Sequence, residues 1–481
     1  MLLIQNGVNC DYEMNIFMRL FFDKAEDAVI LTNTVYENDI IDAYCEIIYN
    51  DNVYFGEFKL EKKKTGNKKE DDRYESVCCI RAFLDAANKI YKISLPWGAM
   101  CGIRPAKAIT TFVEGGKSYE EALSILHNIY GVTEEKCALA ETVAKNEQAI
   151  LKDIKENSVS IYIGIPFCPS RCLYCSFVST DIKISGKYID EFIEKLILEI
   201  EFTSKILKET GKTIENIYIG GGTPTTLNEN QLEKLLTAIN NHFELDSLNE
   251  FTLEAGRPDT ITKEKLEIAK KYGVNRVSIN PQTTNDKTLE KIGRKHDTKM
   301  FLDAYSIAKE VGFDVINTDL IAGLPGETVS DFKKSIDDLV VLSPENITVH
   351  SMCIKRAADL RHKVDSLTEA AEMTEMLSYA QNTLENMGYT PYYMYRQKNI
   401  SGNLENVGYA KKGTFSFYNV NIMEEAQTII ALGGGGSTKL VMKDKIERIF
   451  NYKDPAEYIR NFDEIIERKK KTAEFLKEGD R

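Results

Sequence analysis

The sequence predicts an α/β protein whose centre is a partial (β/α)6 TIM barrel, with an N-terminal α+β domain and a C-terminal extension. Three observations predict it. From Ser158 onward, short β-branched or apolar runs (SIYIGIP, NIYIGG, EFTLEA, NRVSIN, FDVINTDLIAG, NITVHS) alternate with longer helical stretches, the pattern of parallel strands joined by crossover helices. The stretch from Tyr188 sets Ile189, Phe192, Ile193, Leu196, Ile197 and Ile200 on one helical stripe suited to packing on a sheet. Polar and Gly-rich signals recur at the C-terminal ends of the runs, which favours a barrel rim carrying a site over a doubly wound sheet.

In chain order, residues 1–95 are read as the α+β domain. YEMNIFMRLFFDKA is amphipathic, IIDAYCEIIY and NVYFGEFKLEKK are β-rich, and KLEKKKTGNKKEDDRYE, with both signs of charge interleaved, is read as a solvated hairpin tip. Residues 96–157 form a helical connector that starts at Pro96 and Trp97, passes through GIRPAK and is helical from about Tyr119 to Lys152. Residues 158–390 are the barrel. Its later helices stop at a glycine followed by an apolar residue and a new strand, so Gly273, Gly312 and Gly388 fit the left-handed position past a helix end. Residues 391–481 make a C-terminal domain with YYMYRQKN, GNLENVGYA, EEAQTIIALGGGGS and a charged amphipathic tail whose Lys cluster is expected in solvent.

Hydrophobic residues at 43% and charged residues at 28% are those of a soluble globular chain. A net charge of −13 is a poor start for nonspecific attraction to nucleic acid or anionic lipid, so no nucleic-acid partner is expected. No apolar stretch approaches the roughly 20 residues that span a bilayer, and MLLIQNGVNCDYE shows no basic leader, so a cytoplasmic location is expected. In that reducing compartment the ten cysteines are read as thiols rather than disulfides.

The sharpest motif is GIPFCPSRCLYCSF, which places Cys168, Cys172 and Cys175 directly after the first barrel strand with C-x3-C-x2-C spacing. A structural zinc wants four protein ligands, yet no fourth Cys or His lies nearby and the chain has 5 His. Three thiolates suit an iron–sulfur cube that keeps one iron free of protein. Gly220, Gly221, Gly222 and Thr223 end the second strand, either as a tight turn or to let a ligand approach the backbone. Glu254 ends the third strand. Asp319 lies inside the apolar run INTDLIAG, where a carboxylate either binds something or pairs with Arg or Lys.

The triplet resembles the signature of radical S-adenosylmethionine enzymes. IYIGIPFC, GGGTPTTL, TLEAGRPD, SINPQTTNDKTLEKIGR and DLIAGLPGET resemble, in order, the motifs of the oxygen-independent coproporphyrinogen III dehydrogenase family. GIPFCPSRCLYCSF and YRQKNISGNLENVGYA resemble its HemZ-type branch, and the likeness runs over roughly residues 95 to 440. The resemblance implies a [4Fe-4S] cluster on Cys168, Cys172 and Cys175 whose open iron takes the methionine part of S-adenosyl-L-methionine, and a 5′-deoxyadenosyl radical that abstracts hydrogen. It implies that Gly221, Gly222, Thr223 and Glu254 hold the methionine end. Tyr162, Tyr174, Gln282, Arg294 and Asp319 match contacts to adenosylmethionine, including a second molecule of it. ALGGGGST matches a late glycine motif near the adenosine, against the alternative of a flexible linker.

The implied reaction converts two propionates of coproporphyrinogen III to vinyl groups without oxygen, on electrons from a donor such as flavodoxin or ferredoxin. An anionic tetrapyrrole needs cations, and GIRPAK, YRQKN and AKK offer Arg104, Lys107, Arg396, Lys398, Lys411 and Lys412. The chain departs from the family pattern at three places. Phe177 stands where well-characterised members have a further Cys, Gly164 replaces a His, and FYNVNI puts Tyr418 where the related haem-chaperone branch has its His. Haem carriage and anaerobic haem ring opening, activities of sister branches, are the alternatives.

Overall fold

The structure is a computed structural model that describes residues 1–22, 27–63, 67–102, 104–353, 368–397, 400–442 and 445–478. Alternation of apolar and polar residues in the first ninety positions builds a four-stranded sheet in the order β1 (Leu2–Asn6), β2 (Val29–Glu37), β3 (Ile40–Tyr49) and β4 (Asn52–Glu61). Both hairpins turn on two residues at positive φ, Asn38-Asp39 and Asn50-Asp51, the turn geometry that follows the strand twist. Ile41, Ala43, Cys45 and Ile47 of β3 face inward, on the side of the sheet covered by the helix Lys68–Tyr91. That helix is capped by the Asn67 side chain, so KKEDDRYE is its first turns rather than a hairpin tip. Residues 64–66 of the expected tip lie outside the described residues.

The central sheet has eleven strands. β5 (Ser158–Ile165), β8 (Thr213–Gly221), β9 (Glu250–Glu254), β10 (Arg276–Ser278), β11 (Val315–Ala322) and β12 (Asn346–Ser351) pair parallel in sequence order. These are the six runs that the alternation predicts, and with their crossover helices they form a partial (β/α) barrel. Two short strands, β6 (Phe167–Cys168) and β7 (Thr180–Asp181), pair separately just beyond β5. Gly273, Gly312 and Gly388 do take positive φ where their helices end (90°, 80° and 83°).

The C-terminal residues extend this same sheet at both edges. β13 (Thr390–Arg396) and β14 (Glu405–Ala410) add antiparallel to β12, while β15 (Ile429–Gly433) pairs parallel with β5 and is followed by β16 (Ser437–Val441) and β17 (Ile446–Phe450). The tail helix Phe462–Glu478 packs on the helix Ile189–Thr210. Its Lys469 is buried rather than solvated: the ammonium lies 3.3 Å from Glu199, whose carboxylate also accepts from Gly433 N–H, the Asn451 amide and the Tyr458 hydroxyl at 2.7–2.8 Å. A buried carboxylate with four donors is a satisfied one, and here it fixes the end of β15 to the barrel. Among the described residues no helix is long and apolar enough to cross a membrane.

The connector docks onto the end of the C-terminal helix Phe417–Glu424 through the cations of GIRPAK. Arg104 donates to Met423 O at 2.7 Å and pairs with Glu425 at 2.9 Å, and Lys107 donates to Glu424 O at 2.8 Å. Arg396 is buried and donates to Met100 O and Asn403 O, both at 2.8 Å. Trp97 Nε1 donates to Glu405 at 2.6 Å, and Lys136 pairs with the other oxygen of Glu405 at 2.8 Å.

Candidate functional site

A cavity opens at the C-terminal ends of β8 to β12, the rim on which the fold places reactive groups. One wall is the loop that carries the three cysteines. Its base is pinched by the β6–β7 pairing, in which Cys168 lies opposite Asp181. Within the loop Cys175 N donates to Cys172 O at 3.1 Å, and Leu173 N donates across to Ile292 O at 3.0 Å. Arg257, 3% exposed, clamps it further: the guanidinium donates to Ser170 O at 3.1 Å and to Cys172 Sγ at 3.5 Å, while Asp259 binds two of its nitrogens at 2.9 Å. Arg257 was not singled out in the sequence, although a guanidinium placed one residue past a strand-end Gly was visible in TLEAGRPD.

Cys168, Cys172 and Cys175 all line this wall. Burial pushes the Cys168 and Cys175 thiols up, opposed at Cys168 by the Thr223 hydroxyl, 3.4 Å from its sulfur. Among the described residues no three Cys, His, Asp or Glu side chains come together as ligands of a single ion. A four-iron cube makes no such demand, because each thiolate takes a different iron. Three thiols on one wall, steadied by a guanidinium, form a donor set that fits it.

The glycines at the end of β8 serve the backbone first. Gly222 N donates to Ile165 O and Thr223 N to Phe167 O, both at 2.8 Å, and a Cβ at Gly222 would stand 2.6 Å from Phe167 O. A Cβ at Gly220 would stand 2.9 Å from Glu254 Oε2, so the bare backbone there makes room for that carboxylate. Gly221, Gly222 and Thr223 all face the cavity. Gly222→Ala therefore forces apart β8 and the strand that leads into the cysteine loop. We expect it to destabilise the fold by about 1–3 kcal/mol, read by urea unfolding.

Glu254 lies at the centre. Tyr218 donates its hydroxyl to it, and burial pushes the carboxyl up to about 7. Tyr218 and Tyr418 stack with centroids 4.5 Å apart, and Tyr162 stacks beyond them at 6.3 and 6.4 Å. Tyr162, which the sequence matches to a contact position, is half-buried beside this pair, its hydroxyl oxygen 3.4 Å from where a Cβ at Gly221 would stand. Tyr174 lies on the wall, its hydroxyl accepting from Arg294 Nη2 at 2.9 Å, and Arg294 Nη1 donates to Gly256 O at 2.9 Å.

Gln282 reaches the wall through a strained backbone, φ 68°, bridged to β11 by two hydrogen bonds at 2.9 Å. Among the described residues Asp319 pairs with no Arg or Lys. Asn280 and Asn317 donate one amide hydrogen bond to each of its oxygens, at 2.7 and 2.8 Å, and His350 Nε2 stands 3.7 Å away. His350 in turn meets the Tyr395 hydroxyl at 3.3 Å. Asn280, His350 and Tyr395 line the cavity and escaped the sequence reading, because an amide, a lone His and a strand Tyr are common in cores. The Asn280 carbonyl is buried without a partner and faces the cavity.

The described propionate cations are not on this wall. Arg104, Lys107 and Arg396 are committed to the connector, Lys411 donates to Ser343 O at 2.6 Å, Lys412 is exposed, and Lys398 lies outside the described residues. ALGGGGST is neither a linker nor a cavity wall. Cβ atoms at Gly433, Gly434 and Gly435 would stand 2.4, 2.6 and 2.8 Å from Gly164 O, Pro166 and Val178. The departure at Gly164 has the same cause: a side chain there would meet Gly434 O at 2.6 Å.

Residues 162–339 match the radical SAM superfamily. The chain is 40% identical over 390 residues to the oxygen-independent coproporphyrinogen-III oxidase-like protein HemZ of Bacillus subtilis (strain 168), covering 79% of this chain and 78% of that one. It is 42% identical over 197 residues to the heme chaperone HemW of the same organism, covering 41% of this chain and 51% of that one. Among solved structures, the radical SAM coproporphyrinogen III oxidase HemN of Escherichia coli superposes with a TM-score of 0.53 at 21% identity, covering 67% of this chain and 73% of that one. At that identity the likeness is one of fold.

Proposed function

Since the chain belongs to the radical S-adenosylmethionine superfamily and, within it, to the HemZ-type coproporphyrinogen-III oxidase-like proteins, we propose that it oxidatively decarboxylates two propionates of coproporphyrinogen III, without oxygen, to give protoporphyrinogen IX. The observation that carries this reading is the pinned three-thiol loop facing a buried carboxylate across one cavity. Cys168, Cys172 and Cys175 would hold a [4Fe-4S] cluster. When bound, the cluster supplies the electron that cleaves S-adenosyl-L-methionine reductively and so starts hydrogen abstraction from the substrate.

The chain's own residues bind and orient. Glu254, aimed by Tyr218, offers a carboxylate to the amino group of adenosylmethionine. Asp319 has both oxygens fixed by amide donors and keeps lone pairs for ligand hydroxyls, and Arg294 with Tyr174 closes the side next to the cysteine loop. Each propionate loses one hydrogen atom and carbon dioxide to become a vinyl group, and the one electron left over passes to a one-electron acceptor that the reaction also requires. The substrate is an anionic tetrapyrrole, and the reductant a one-electron donor such as flavodoxin or ferredoxin.

The position of Glu254 gives a pH prediction. Its carboxyl titrates near 7, so a cationic ligand meets an ionised partner above that value and a neutral one below it. Adenosylmethionine affinity should fall as pH drops below about 7, approaching tenfold per unit. Glu254→Gln should bind weakly at all pH values and show no such slope. A wild-type affinity that stays flat from pH 8 to about pH 5 would remove Glu254 from the site.

The test of the function is an anaerobic assay of iron-reconstituted protein with reductant, adenosylmethionine and coproporphyrinogen III. Loss of two carboxyl groups coupled to 5′-deoxyadenosine is the expected result. Adenosylmethionine cleavage with an intact substrate would move the function to haem ring opening or another tetrapyrrole. Stoichiometric haem binding with no cleavage would make it a carrier.

A further inference from the structure

An anionic substrate has to find its anchor in the cavity, and the guanidinium groups there are already engaged. Four described ones line it. Asp259 binds two nitrogens of Arg257, and Arg294 donates to the Tyr174 hydroxyl and to Gly256 O. Arg276 donates to the Asn346 side chain and to Thr414 O, with the Glu250 carboxylate 3.4 Å away. Arg171, on the cysteine loop, has a partner too. Glu254 and Asp319 bring negative charge to the same space. A carboxylate that enters is repelled by both and needs a donor that other groups have not taken.

One corner supplies such donors. His350 and Tyr395 each stand one residue before the end of their strands, β12 and β13, and Gln397 follows β13. All three are half-buried and line the cavity. The Tyr395 oxygen stands 3.3 Å from His350 Nδ1 and also bonds the Gln397 side chain. A phenol oxygen that accepts from an amide and from an imidazole N–H points its own proton elsewhere, and for Tyr395 elsewhere is the cavity. Burial and the charge of Asp319 push this phenol up, so it stays an O–H donor. The imidazole can hold a proton on each nitrogen, with Nε2 turned to Asp319 at 3.7 Å and Nδ1 to the phenol.

We propose that Tyr395 and His350 anchor a propionate carboxylate of the substrate, the Tyr395 O–H donating to it and the His350 imidazolium behind the phenol supplying the charge. This rests on the tetrapyrrole reading above and assigns the contact that Arg104, Lys107 and Arg396 do not make. The division of labour follows from the neighbours. A neutral phenol beside Asp319 would hold a second carboxylate poorly, and a cation behind it turns the contact into a charge-assisted hydrogen bond. Strand order fits as well. β12 stands at the other end of the six parallel strands from β5, which leads into the cysteine loop. A propionate held at β12 leaves the macrocycle lying over the rim between this anchor and the thiols.

The probes are coproporphyrin III, a fluorescent tetracarboxylate, and its tetramethyl ester, which keeps the ring and loses the charges. Binding of each to the anaerobic, iron-reconstituted full chain is followed by fluorescence, without reductant and in one non-ionic detergent. The wild type should prefer the acid. Tyr395→Phe keeps the ring that stacks on Tyr393 and removes the donor. His350→Gln keeps a donor and removes the charge. Each should weaken binding of the acid at least about tenfold and leave that of the ester unchanged. A purely structural role would move both ligands together, so equal losses for acid and ester would overturn the proposal. A wild type indifferent to esterification, or variants that bind the acid as tightly as the wild type, would overturn it too. Far-UV circular dichroism checks folding, and because the two residues lie on different strands either variant serves alone. Haem binding lost in His350→Gln with acid binding intact would make the imidazole an axial ligand instead. The function fails separately: acid preference lost in the variants as expected, with no carboxyl loss from coproporphyrinogen III in the reduced wild type, keeps the anchor and removes the decarboxylation.

Discussion

Replacing any one of Cys168, Cys172 or Cys175 with alanine is expected to abolish adenosylmethionine cleavage, bleach the iron–sulfur absorption of the reconstituted protein and leave the fold standing. Among the described residues the cysteine loop offers these three thiols as iron ligands, so two of them cannot retain a cluster that three hold. The fold should survive because the loop is held by other bonds: the β6–β7 pairing, Leu173 to Ile292 and the Arg257 clamp. Losing a single sulfur atom costs about 1 kcal/mol of packing, within what a domain of this size tolerates. Iron analysis, the visible spectrum and a urea melt on the same samples separate the two effects. A variant that kept its iron and its cleavage activity would take that cysteine out of the cluster.

The second large effect concerns stability, far from the thiols. Lys136→Met should destabilise the protein by about 3–5 kcal/mol, because it strands the Glu405 carboxylate in the interior. Lys136 is 1% exposed and Glu405 2%, and the ammonium lies 2.8 Å from one carboxylate oxygen while Trp97 donates to the other. Burial opposes ionisation of Glu405, but the Lys136 charge and its hydrogen bond outweigh it and hold the carboxyl below the ordinary range. A depressed folded value means that the contribution of this pair is present above the usual glutamate range and is lost as pH falls through the folded value. In Lys136→Met the sign reverses, and stability should rise on acidification as Glu405 takes up a proton. Adding Glu405→Gln to that variant should recover most of the loss. If the single variant melts like the wild type, the connector does not depend on this pair.

The sequence is most legible where chemistry and periodicity coincide. The six parallel strands follow from alternation with helices, and the cysteine spacing stands out against any background. The left-handed glycines follow from the stop signals before each new strand. Partnership at long range is what the sequence hides. IIALG reads as one more buried run, and nothing local says that it pairs beside β5. Lys469 reads as a solvated cation and Arg396 as a candidate propionate ligand, because lysine and arginine usually lie in water or on an anionic ligand. Their partners, Glu199 in a distant helix and the carbonyls of Met100 and Asn403, are set by tertiary contacts alone. A strand's alternation tells that Tyr162 and Tyr218 face inward, but their stacking with Tyr418 is set by tertiary contacts alone.

The pairing of β15 with β5 has a consequence for the life of the molecule on the ribosome. β5 leads into the cysteine loop, and its neighbour on one side, β8, follows soon after it. Its neighbour on the other side is Ile429–Gly433, and the intervening stretch takes roughly 10 to 50 s to synthesise at ordinary elongation rates. Throughout that interval the strand beneath the thiols has a bare edge, and Gly164 has no Gly433 or Gly434 packed against it. The sheet beneath the cysteine loop is therefore finished only once residues 429–433 are made, and a nascent chain interrupted before residue 429 carries all three cysteines on a ledge with one side missing.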